Sequence, residues 1–296
     1  MKKTNLYENH LKLNAKMIEY AGYLMPVYYQ GIQTEHQSVR THMGVFDVSH
    51  MGEFLIEGKE ALHFVNYLVT NTIIDDLSKV TYALLLNDEG YPLDDLLVYV
   101  IGKEKILLVV NAGNREKDFA WVSKKVETFD CSARDISDNF SQIALQGPGI
   151  KDIIDKLLGT TVSDLSFMHY KVVPYSDGHV IISRTGYTGE DGYEISIDDA
   201  KGVNELFDHF ISHGVTPGGL VCRDTLRLEA GMPLYGHEMD DKTSPLDTSL
   251  DKYCKMNKEK FIGKDSLRNK GKIRVGLKNL EGGILREGMP VYDGFE

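Results

Sequence analysis

The segment VTYALLLNDEGYPLDDLLVYVI, which runs from Val80 to Ile101, decides the fold class of this chain. Its two apolar runs flank the turn-forming residues Asn87 to Gly90, so the segment predicts a β-hairpin. Apolar spacing elsewhere predicts helices and further strands, but the two do not alternate regularly as βαβα. We therefore predict an α+β fold and not a doubly wound parallel sheet.

The other elements are predicted from apolar spacing and from glycine breakers. The predicted helices are residues 31–43, 60–69, 114–127, 148–158, 200–212 and 220–230. The predicted strands outside the hairpin are residues 53–57, 106–110, 143–146, 180–184, 193–197 and 273–277. Beyond Phe261 the chain changes to short β segments and glycines, which predicts a separate β-rich domain at the carboxyl end.

Composition and charge restrict the class of function. The 296 residues carry 33 basic and 44 acidic side chains, a net charge of −11, whereas a general nucleic-acid binder needs a basic surface. No apolar stretch is long enough to span a bilayer, and the amino terminus lacks the apolar core of a signal peptide. Cys131, Cys222 and Cys254 show no spacing typical of a metal site or a disulfide framework. We therefore expect a cytoplasmic protein, or the mature form of an organellar one, with free thiols and without a metal, a membrane segment or a nucleic-acid partner.

The first candidate for chemistry is the pair Asp94 and Asp95, which stands in the otherwise apolar second run of the hairpin. Successive side chains of a strand point to opposite faces, so one aspartate faces inward if the strand is half-buried. A buried carboxylate is unfavourable unless it is paired or hydrogen-bonded, and its pKa rises by desolvation or falls beside a cation. Three interpretations stay open: a site carboxylate, an edge strand with both aspartates in solvent, or a cap close to the turn.

The second candidate is the loop RTGYTGEDGYE, from Arg184 to Glu194, which places three glycines between two predicted strands. It is neither a P-loop nor a dinucleotide-binding fingerprint, because it lacks the Gly-Lys-Ser/Thr ending and leads into a strand. An ordinary hairpin loop is the commoner explanation of such a segment. Its tyrosines and glutamates would, however, suit contact with a flat heterocyclic ligand.

The third candidate is the predicted helix that carries Arg223 and Arg227, four residues apart on one face. Guanidinium groups bind carboxylates and phosphates bidentately, so the pair would suit an anion. The alternative is that both arginines pair with Asp224 and Glu229 on a solvated face.

Taken together, the motifs resemble those of the aminomethyltransferases, the T-proteins of the glycine cleavage system. The resemblance extends along nearly the whole chain, and its specificity lies in the number and order of the motifs. These motifs are AGYLMPV (21–27), GVFDVSHMG (44–52), DDLLVY (94–99), VVNA (109–112), LQGP (145–148), SRTGYTGEDG (183–192), RDTLRLEA (223–230) and FIG (261–263).

The resemblance implies a three-domain cloverleaf around a central folate cavity. It places two interleaved α+β folate-binding domains in residues 1–255 and the start of a β-barrel-like carboxyl-terminal domain in residues 256–296. Family members continue for several tens of residues beyond this last segment. The chain is therefore expected to be truncated, with an incomplete last domain.

The implied reaction moves the methylene carbon of an aminomethyl group, carried on the lipoyl arm of the H-protein, to tetrahydrofolate with release of ammonia. Asp95 matches the key carboxylate beside the reacting folate nitrogens, and Asp94 would face the other way. Arg223, with Arg227 and Tyr235, would attract the carboxylates of the glutamate tail. The implied folate-binding positions are Met51, Tyr82, Tyr99, Asn111, Tyr187, Glu194, Arg223 and Tyr235, with the aromatic side chains against ring surfaces and Asn111 and Glu194 at the polar edge of the pterin.

Other interpretations remain open at this point. A non-catalytic folate-binding relative, of the kind linked to iron–sulfur cluster maintenance, would carry a Lys-Gly-Cys-Tyr-type motif after the arginine helix, where this chain has AGMPLYG (230–236). A folate-dependent enzyme with a small methylated amine or sulfonium donor and an inactive truncated remnant are the remaining alternatives. Lys255, Lys258 and Lys260 are predicted to form a basic patch that docks the acidic H-protein.

Overall fold

The structure is a computed structural model that describes residues 1–175, 178–280, 282–286 and 288–292. Within these residues the helices are α1 (Tyr7–Lys12), α2 (Ile32–Thr41), α3 (Ala61–Leu68), α4 (Arg115–Val126), α5 (Ile150–Leu158), α6 (Ala200–Ser212) and α7 (Leu220–Glu229). The strands are β1 (Lys2–Lys3), β2 (Lys16–Tyr20), β3 (Tyr23–Tyr28), β4 (Gly44–Asp47), β5 (Gly52–Glu57), β6 (Val80–Leu86), β7 (Pro92–Gly102), β8 (Lys105–Val110), β9 (Ser132–Asp135), β10 (Ser141–Gln146), β11 (Tyr170–Tyr175), β12 (Gly178–Ser183), β13 (Gly192–Ile197) and β14 (Thr216–Pro217). None of the described helices is long and apolar enough to cross a membrane.

The helix predictions are confirmed, with ends that differ by at most two residues. The predicted strands up to residue 197 are also confirmed, including both arms of the hairpin. The hairpin β2–β3 lies outside the prediction because β2 is mostly exposed and shows no apolar alternation. The α+β class is therefore correct for the body of the chain.

The predicted hairpin forms β6 and β7, which belong to a five-stranded antiparallel sheet of order β6-β7-β8-β5-β9. β7 is an interior strand, hydrogen-bonded to β6 on one side and to β8 on the other. α3 and α4 cover one face of this sheet, where Phe54, Phe64 and Val122 are fully buried. The strand that carries Asp94 and Asp95 thus lies within the sheet and not at its edge.

The second large sheet has six strands in the order β11-β12-β13-β10-β4-β14. β4 pairs with β10 in antiparallel orientation, although the whole five-stranded sheet lies between them in the chain. The five-stranded sheet is therefore an insertion, and its strands β5 and β9 pair with each other. α5 and α6 pack on the six-stranded sheet and bury Ile154, Phe207 and Phe210.

The two sheets are joined where β7 approaches β11 and β12. Tyr170 OH, from β11, donates to Val100 O of β7 at 2.5 Å. Tyr99 OH of β7 and Ser183 Oγ of β12 are 3.1 Å apart. These bonds hold β7 next to the glycine-rich loop that follows β12.

The segment after Leu267 departs from the prediction. The strand predicted at residues 273–277 is wrong: this segment forms no strand, and Ile273 and Leu277 are 81% and 59% exposed. Apolar alternation produces a strand only where a neighbouring strand supplies hydrogen bonds, and none of the described residues pairs with this segment. Residues 293–296, at the end of the predicted last domain, lie outside the described residues, and the domain division at residue 255 stays a prediction.

Candidate active site

β7 places its two aspartates on opposite faces of the five-stranded sheet. Asp94 is 0% exposed, whereas Asp95 is only partly buried. Because β7 is an interior strand, the alternative of an edge strand with both carboxylates in solvent is wrong. Adjacent carboxylates inside a sheet require hydrogen-bond donors on both faces.

Asp94 is held by amide groups that follow β8. Asn111 N donates to Asp94 Oδ2 at 2.9 Å, and Asn111 Nδ2 donates to Asp94 Oδ1 at 2.8 Å. Asn114, in a short 3-10 turn before α4, donates through Nδ2 to Asp94 Oδ1 at 2.7 Å. Burial raises the pKa of Asp94, and these donors oppose the rise because they stabilise the carboxylate.

Asp95 accepts two hydrogen bonds of its own. Tyr82 OH, from β6, donates to Asp95 Oδ2 at 2.9 Å, and Asn111 Nδ2 donates to Asp95 Oδ1 at 2.8 Å. Burial and the neighbouring charge of Asp94 raise the pKa of Asp95 to about 7, although the two donors act in the opposite direction. A carboxyl group with a pKa near neutrality can take up and release protons at the operating pH of most enzymes.

Asn111 links the two carboxylates. Its side-chain amide donates to both Asp94 and Asp95, so both N–H bonds of the group are used. The Oδ1 atom of Asn111 accepts no hydrogen bond from a described residue and is the atom of this side chain that can meet a ligand. The main contribution of Asn111 is that its amide N–H group orients the Asp95 carboxyl.

Aromatic side chains lie around the Asp95 carboxyl. The ring centroids of Tyr82 and Tyr253 are 4.5 Å apart. Burial raises the pKa of Tyr187, the charge of Arg223 lowers it and that of Asp95 raises it, so this ring lies near both charges. The glycine-rich loop that carries Tyr187 therefore contributes to the same site as β7.

Arg223 and Arg227 have different environments. The Arg223 guanidinium lies 4.9 Å from the ring centroid of Tyr187 and forms no ion pair with any described residue. Arg227 is buried, and its guanidinium binds Asp224 at 2.9 Å and Glu238 at 2.6 Å. Arg227 is thus a structural residue and does not form an anion clamp with Arg223, which stays available to an anionic ligand.

Tyr235 lies beside the buried carboxylates. Lys117 Nζ is 4.1 Å from the centroid of its ring. Burial and nearby aspartates, among them Asp94 and Asp118, raise the pKa of Tyr235 to about 12. The structure therefore associates Tyr235 with Asp94, whereas the resemblance groups it with Arg223.

Tyr99 and Glu194 form the two ends of a hydrogen-bond chain between the sheets. Tyr99 OH is 3.1 Å from Ser183 Oγ, which is 2.8 Å from Thr185 Oγ1. Thr185 Oγ1 donates to Glu194 Oε2 at 2.5 Å. Because Glu194 Oε1 accepts no hydrogen bond from a described residue, this carboxylate keeps one oxygen for a ligand.

The glycine-rich loop packs closely on β10. A Cβ atom at Gly186 would lie 2.1 Å from Gln146 Oε1, so a larger residue at this position would displace the Gln146 side chain. The Gln146 side chain is in turn held by Thr188 Oγ1, which donates to its Oε1 at 2.8 Å. The loop backbone at Gly186 thus packs against the Gln146 side chain, whereas the Tyr187 ring lies near Arg223 and Asp95.

Met51 lies where two buried clusters meet. It contacts the cluster of Phe46 and Cys222 and also the cluster that contains Tyr99. Its neighbour His50 is 3% exposed, and burial together with the charge of Arg223 lowers the His50 pKa to about 4. His50 is therefore a neutral, buried ring at pH 7.

Asp118 is a buried residue beside the site that the motifs do not single out. It projects from α4, is 0% exposed, and neither of its oxygens accepts a hydrogen bond from a described donor. It lies against Asp94, and burial and the Asp94 charge raise its pKa. The sequence contains one indication, because Asp118 continues the apolar stripe of Val122 and Val126 at helical spacing.

The cysteines take no part in the site. Cys222 and Cys254 are buried free thiols, and burial raises the pKa of each to about 12. Across the described ranges no group of histidine, cysteine, aspartate and glutamate side chains has the arrangement of a metal site. The side chains gathered at the candidate site are carboxylates, tyrosines, amides and Arg223.

Comparisons with known proteins point to one family. Residues 6–258 match the family model described as the GCVT N-terminal domain. The chain is 44% identical over 306 residues to the aminomethyltransferase of Alkaliphilus oremlandii (strain OhILAs). This alignment covers 99% of the chain and 83% of that protein. It is 43% identical over 303 residues to the aminomethyltransferase of Staphylococcus haemolyticus (strain JCSC1435), with coverage of 99% and 83%. The crystal structure of glycine cleavage system aminomethyltransferase T from Bartonella henselae matches with a TM-score of 0.83 at 34% identity, over 90% of this chain and 73% of that chain.

Proposed function

The chain belongs to the GCVT family and is an aminomethyltransferase of glycine cleavage, and we propose that it transfers the methylene carbon of an aminomethyl group to tetrahydrofolate, with Asp95 as the proton-accepting carboxylate. The proposed donor is an aminomethyl group on the lipoyl arm of an H-protein, and ammonia is released. The observation that carries the residue assignment is the Asp94–Asp95 pair, in which a partly buried carboxyl has a pKa of about 7.

The side chains around Asp95 fit a reduced pterin with an anionic tail. Tyr82 and Tyr187 supply aromatic ring surfaces near the carboxyl. Glu194 keeps an acceptor oxygen for ring N–H groups, and the Arg223 guanidinium has no ion-pair partner among the described residues. Carboxylates accept from the N–H groups of a pterin, and a guanidinium binds the carboxylates of a glutamate tail. This donor and acceptor set supports tetrahydrofolate as the ligand.

Proton transfer is the step in which Asp95 would act. Joining one carbon to two folate nitrogens breaks one N–H bond on each, and the two protons leave with the amine as ammonia and with the lipoyl sulfur as a thiol. Asp95 would accept such a proton and return it to a leaving group, while Tyr82 and Asn111 hold its oxygens at 2.9 and 2.8 Å. Positioning of the two bound reactants would supply the larger share of the acceleration, up to about 7–11 kcal/mol.

The H-protein is the proposed partner. Of the three lysines in the predicted docking patch, we propose that Lys255 and Lys260 contact it and that Lys258 does not. Lys258 Nζ donates at 2.6, 2.8 and 2.7 Å to three backbone carbonyl oxygens at and beyond the end of α3, so its ammonium is already bound. Lys260 is exposed and Lys255 partly exposed, which leaves these two for an acidic partner. We also propose a cytoplasmic location, because free thiols are typical of proteins in that reducing compartment.

Ammonia release from aminomethylated H-protein, with and without tetrahydrofolate, tests the proposal. We expect release that depends on both reactants and yields dihydrolipoyl H-protein. Calorimetric titration with tetrahydrofolate measures binding independently of turnover. Turnover of a small methylated amine in place of the lipoyl donor would contradict the proposed donor. Folate binding without ammonia release would indicate a non-catalytic folate-binding protein.

A further inference from the structure

Asp118 is a buried carboxyl beside the site that the proposed reaction leaves without a role. It projects from α4 against Asp94, is 0% exposed, and neither of its oxygens accepts a hydrogen bond from a described donor. The nearby amide groups of Asn111 and Asn114 donate to Asp94 instead. Two adjoining carboxylates in a buried site repel each other strongly, so the pair retains a proton.

The contacts place this proton on Asp118. Asp94 accepts three amide N–H bonds, which favour its charged form, whereas Asp118 accepts none. Neither cation on the same turn pairs with Asp118. Lys117 Nζ donates to Leu93 O at 2.6 Å and to Asn114 Oδ1 at 3.1 Å, and the Arg115 guanidinium binds Asp135 and Asp138. A protonated Asp118 can donate a hydrogen bond to Asp94 and so satisfy both side chains.

We propose that Asp118 is a positioning residue for the aminomethyl transfer: its protonated carboxyl donates to Asp94 and keeps Asp94 ionised behind Asp95. This inference rests on the proposed function of Asp95. Asp118 has no contact with either reactant in this scheme and acts only through Asp94. The charge that it maintains on Asp94 makes Asp95 a stronger base than an ordinary carboxylate.

The groups that face Asp118 come from three parts of the structure. They are Asp94 and Asp95 on β7, Lys117 on α4 itself, and Tyr235 in the segment after α7. Tyr235 stays protonated at neutral pH because burial raises its pKa to about 12. Tyr235 therefore takes no part in the titration of the carboxyls around pH 7.

Two substitutions separate hydrogen-bond donation from side-chain volume. Asp118→Asn keeps an N–H donor for Asp94 and removes the titratable group, whereas Asp118→Leu removes the donor and fills a similar space. Glu116→Gln, an exposed change on the same helix, is the control. The titration of the Asp95 carboxyl is followed by carbon-13 NMR, with its signal identified by its loss in Asp95→Asn.

We expect Asp118→Leu to lower the titration midpoint of Asp95 by about one pH unit, because Asp94 without this donor takes up a proton and loses its charge. Asp118→Asn and Glu116→Gln should leave the Asp95 midpoint within about 0.3 pH unit of the wild type. The acidic limb of kcat against pH should likewise move down in Asp118→Leu and stay in place in the other two variants. A folded Asp118→Leu protein with the wild-type midpoint would overturn the proposal. An Asp118→Asn midpoint that moves as far as that of Asp118→Leu would also overturn it.

A second measurement covers the case in which Asp118→Leu does not fold. The infrared spectra of the wild type and of Asp118→Asn are compared at about pH 8.5, where Asp95 with its pKa of about 7 is mostly ionised. The wild type minus Asp118→Asn difference spectrum should contain the carbonyl stretch of one protonated carboxylic acid, and its absence from that difference would contradict a protonated Asp118. Neither spectroscopic measurement needs a substrate, so a failure of the proposed function, seen as no ammonia release by the wild type, is recognised separately.

Discussion

Replacing Asp95 with asparagine removes the proposed proton acceptor and keeps the shape of the side chain. The carboxylate accepts from Tyr82 OH at 2.9 Å and from Asn111 Nδ2 at 2.8 Å, but an asparagine offers a single acceptor oxygen. Its amide N–H group would face one of these two donors, so one hydrogen bond is lost. We expect Asp95→Asn to lower the free energy of unfolding by about 1–3 kcal/mol, which leaves the protein folded.

The expected loss of turnover is larger than this loss of stability. A positioned general base contributes roughly 10²–10⁴ in rate, which corresponds to about 3–5 kcal/mol at 1.36 kcal/mol per tenfold. We expect Asp95→Asn to lower kcat by such a factor. The dissociation constant of tetrahydrofolate should change by less than about fivefold, because the lost interaction is made in the transition state.

The assay is ammonia release at saturating tetrahydrofolate, with folate binding measured by calorimetry and folding by circular dichroism. Glu89→Gln is the matched control, since Glu89 is an exposed acidic residue in the turn of the same hairpin. We expect this control to keep kcat within about twofold of the wild type. A folded Asp95→Asn protein whose kcat stays within about threefold of the wild type would refute the role of Asp95 as base.

Three further substitutions test other parts of the site and its support. Asp94→Asn removes the charge that raises the Asp95 pKa, so the acidic limb of kcat against pH should move down by about 1–2 units; an unchanged limb would contradict the coupling of the two carboxyls. Arg223→Gln should weaken tetrahydrofolate binding by roughly 10–100-fold in calorimetry and reduce its salt dependence, and unchanged affinity would exclude a contact with the anionic tail. Lys258→Met leaves three backbone carbonyl oxygens without their donor and should lower the free energy of unfolding in urea by about 3 kcal/mol, whereas Lys255→Met should change it by less than about 0.5 kcal/mol.

The parts of the fold that depend on local chemistry could be predicted from the sequence. The turn residues Asn87 to Gly90 determine the hairpin β6–β7 without any reference to the rest of the chain. Helical spacing and a terminal glycine likewise define the ends of α5, where Gly159 adopts a left-handed conformation with φ of 66°. The strand predicted at residues 273–277 is wrong because apolar alternation carries no information on whether a partner strand lies beside it.

The candidate site could be predicted only in part. Period-two alternation indicates that one of Asp94 and Asp95 faces inward, but it does not tell which, since that depends on the helices that cover the sheet. The amide donors Asn111 and Asn114 reach Asp94 only because β8 pairs with β7, a contact between distant segments. Arg223 and Arg227 look equivalent on a helical wheel, and only the position of Glu238 makes Arg227 a structural residue.

The insertion of one sheet into another determines the order in which the chain can fold. During synthesis β4 emerges early, yet its neighbour β10 follows only after the entire five-stranded sheet has left the ribosome. Pairing of β5 with β9 then brings the two ends of the insertion together, so that β4 and β10 close a short loop instead of a long one. A mutation that slows folding within residues 52–135 would therefore delay both sheets, and the unpaired edge of β4 would be open to aggregation in the meantime.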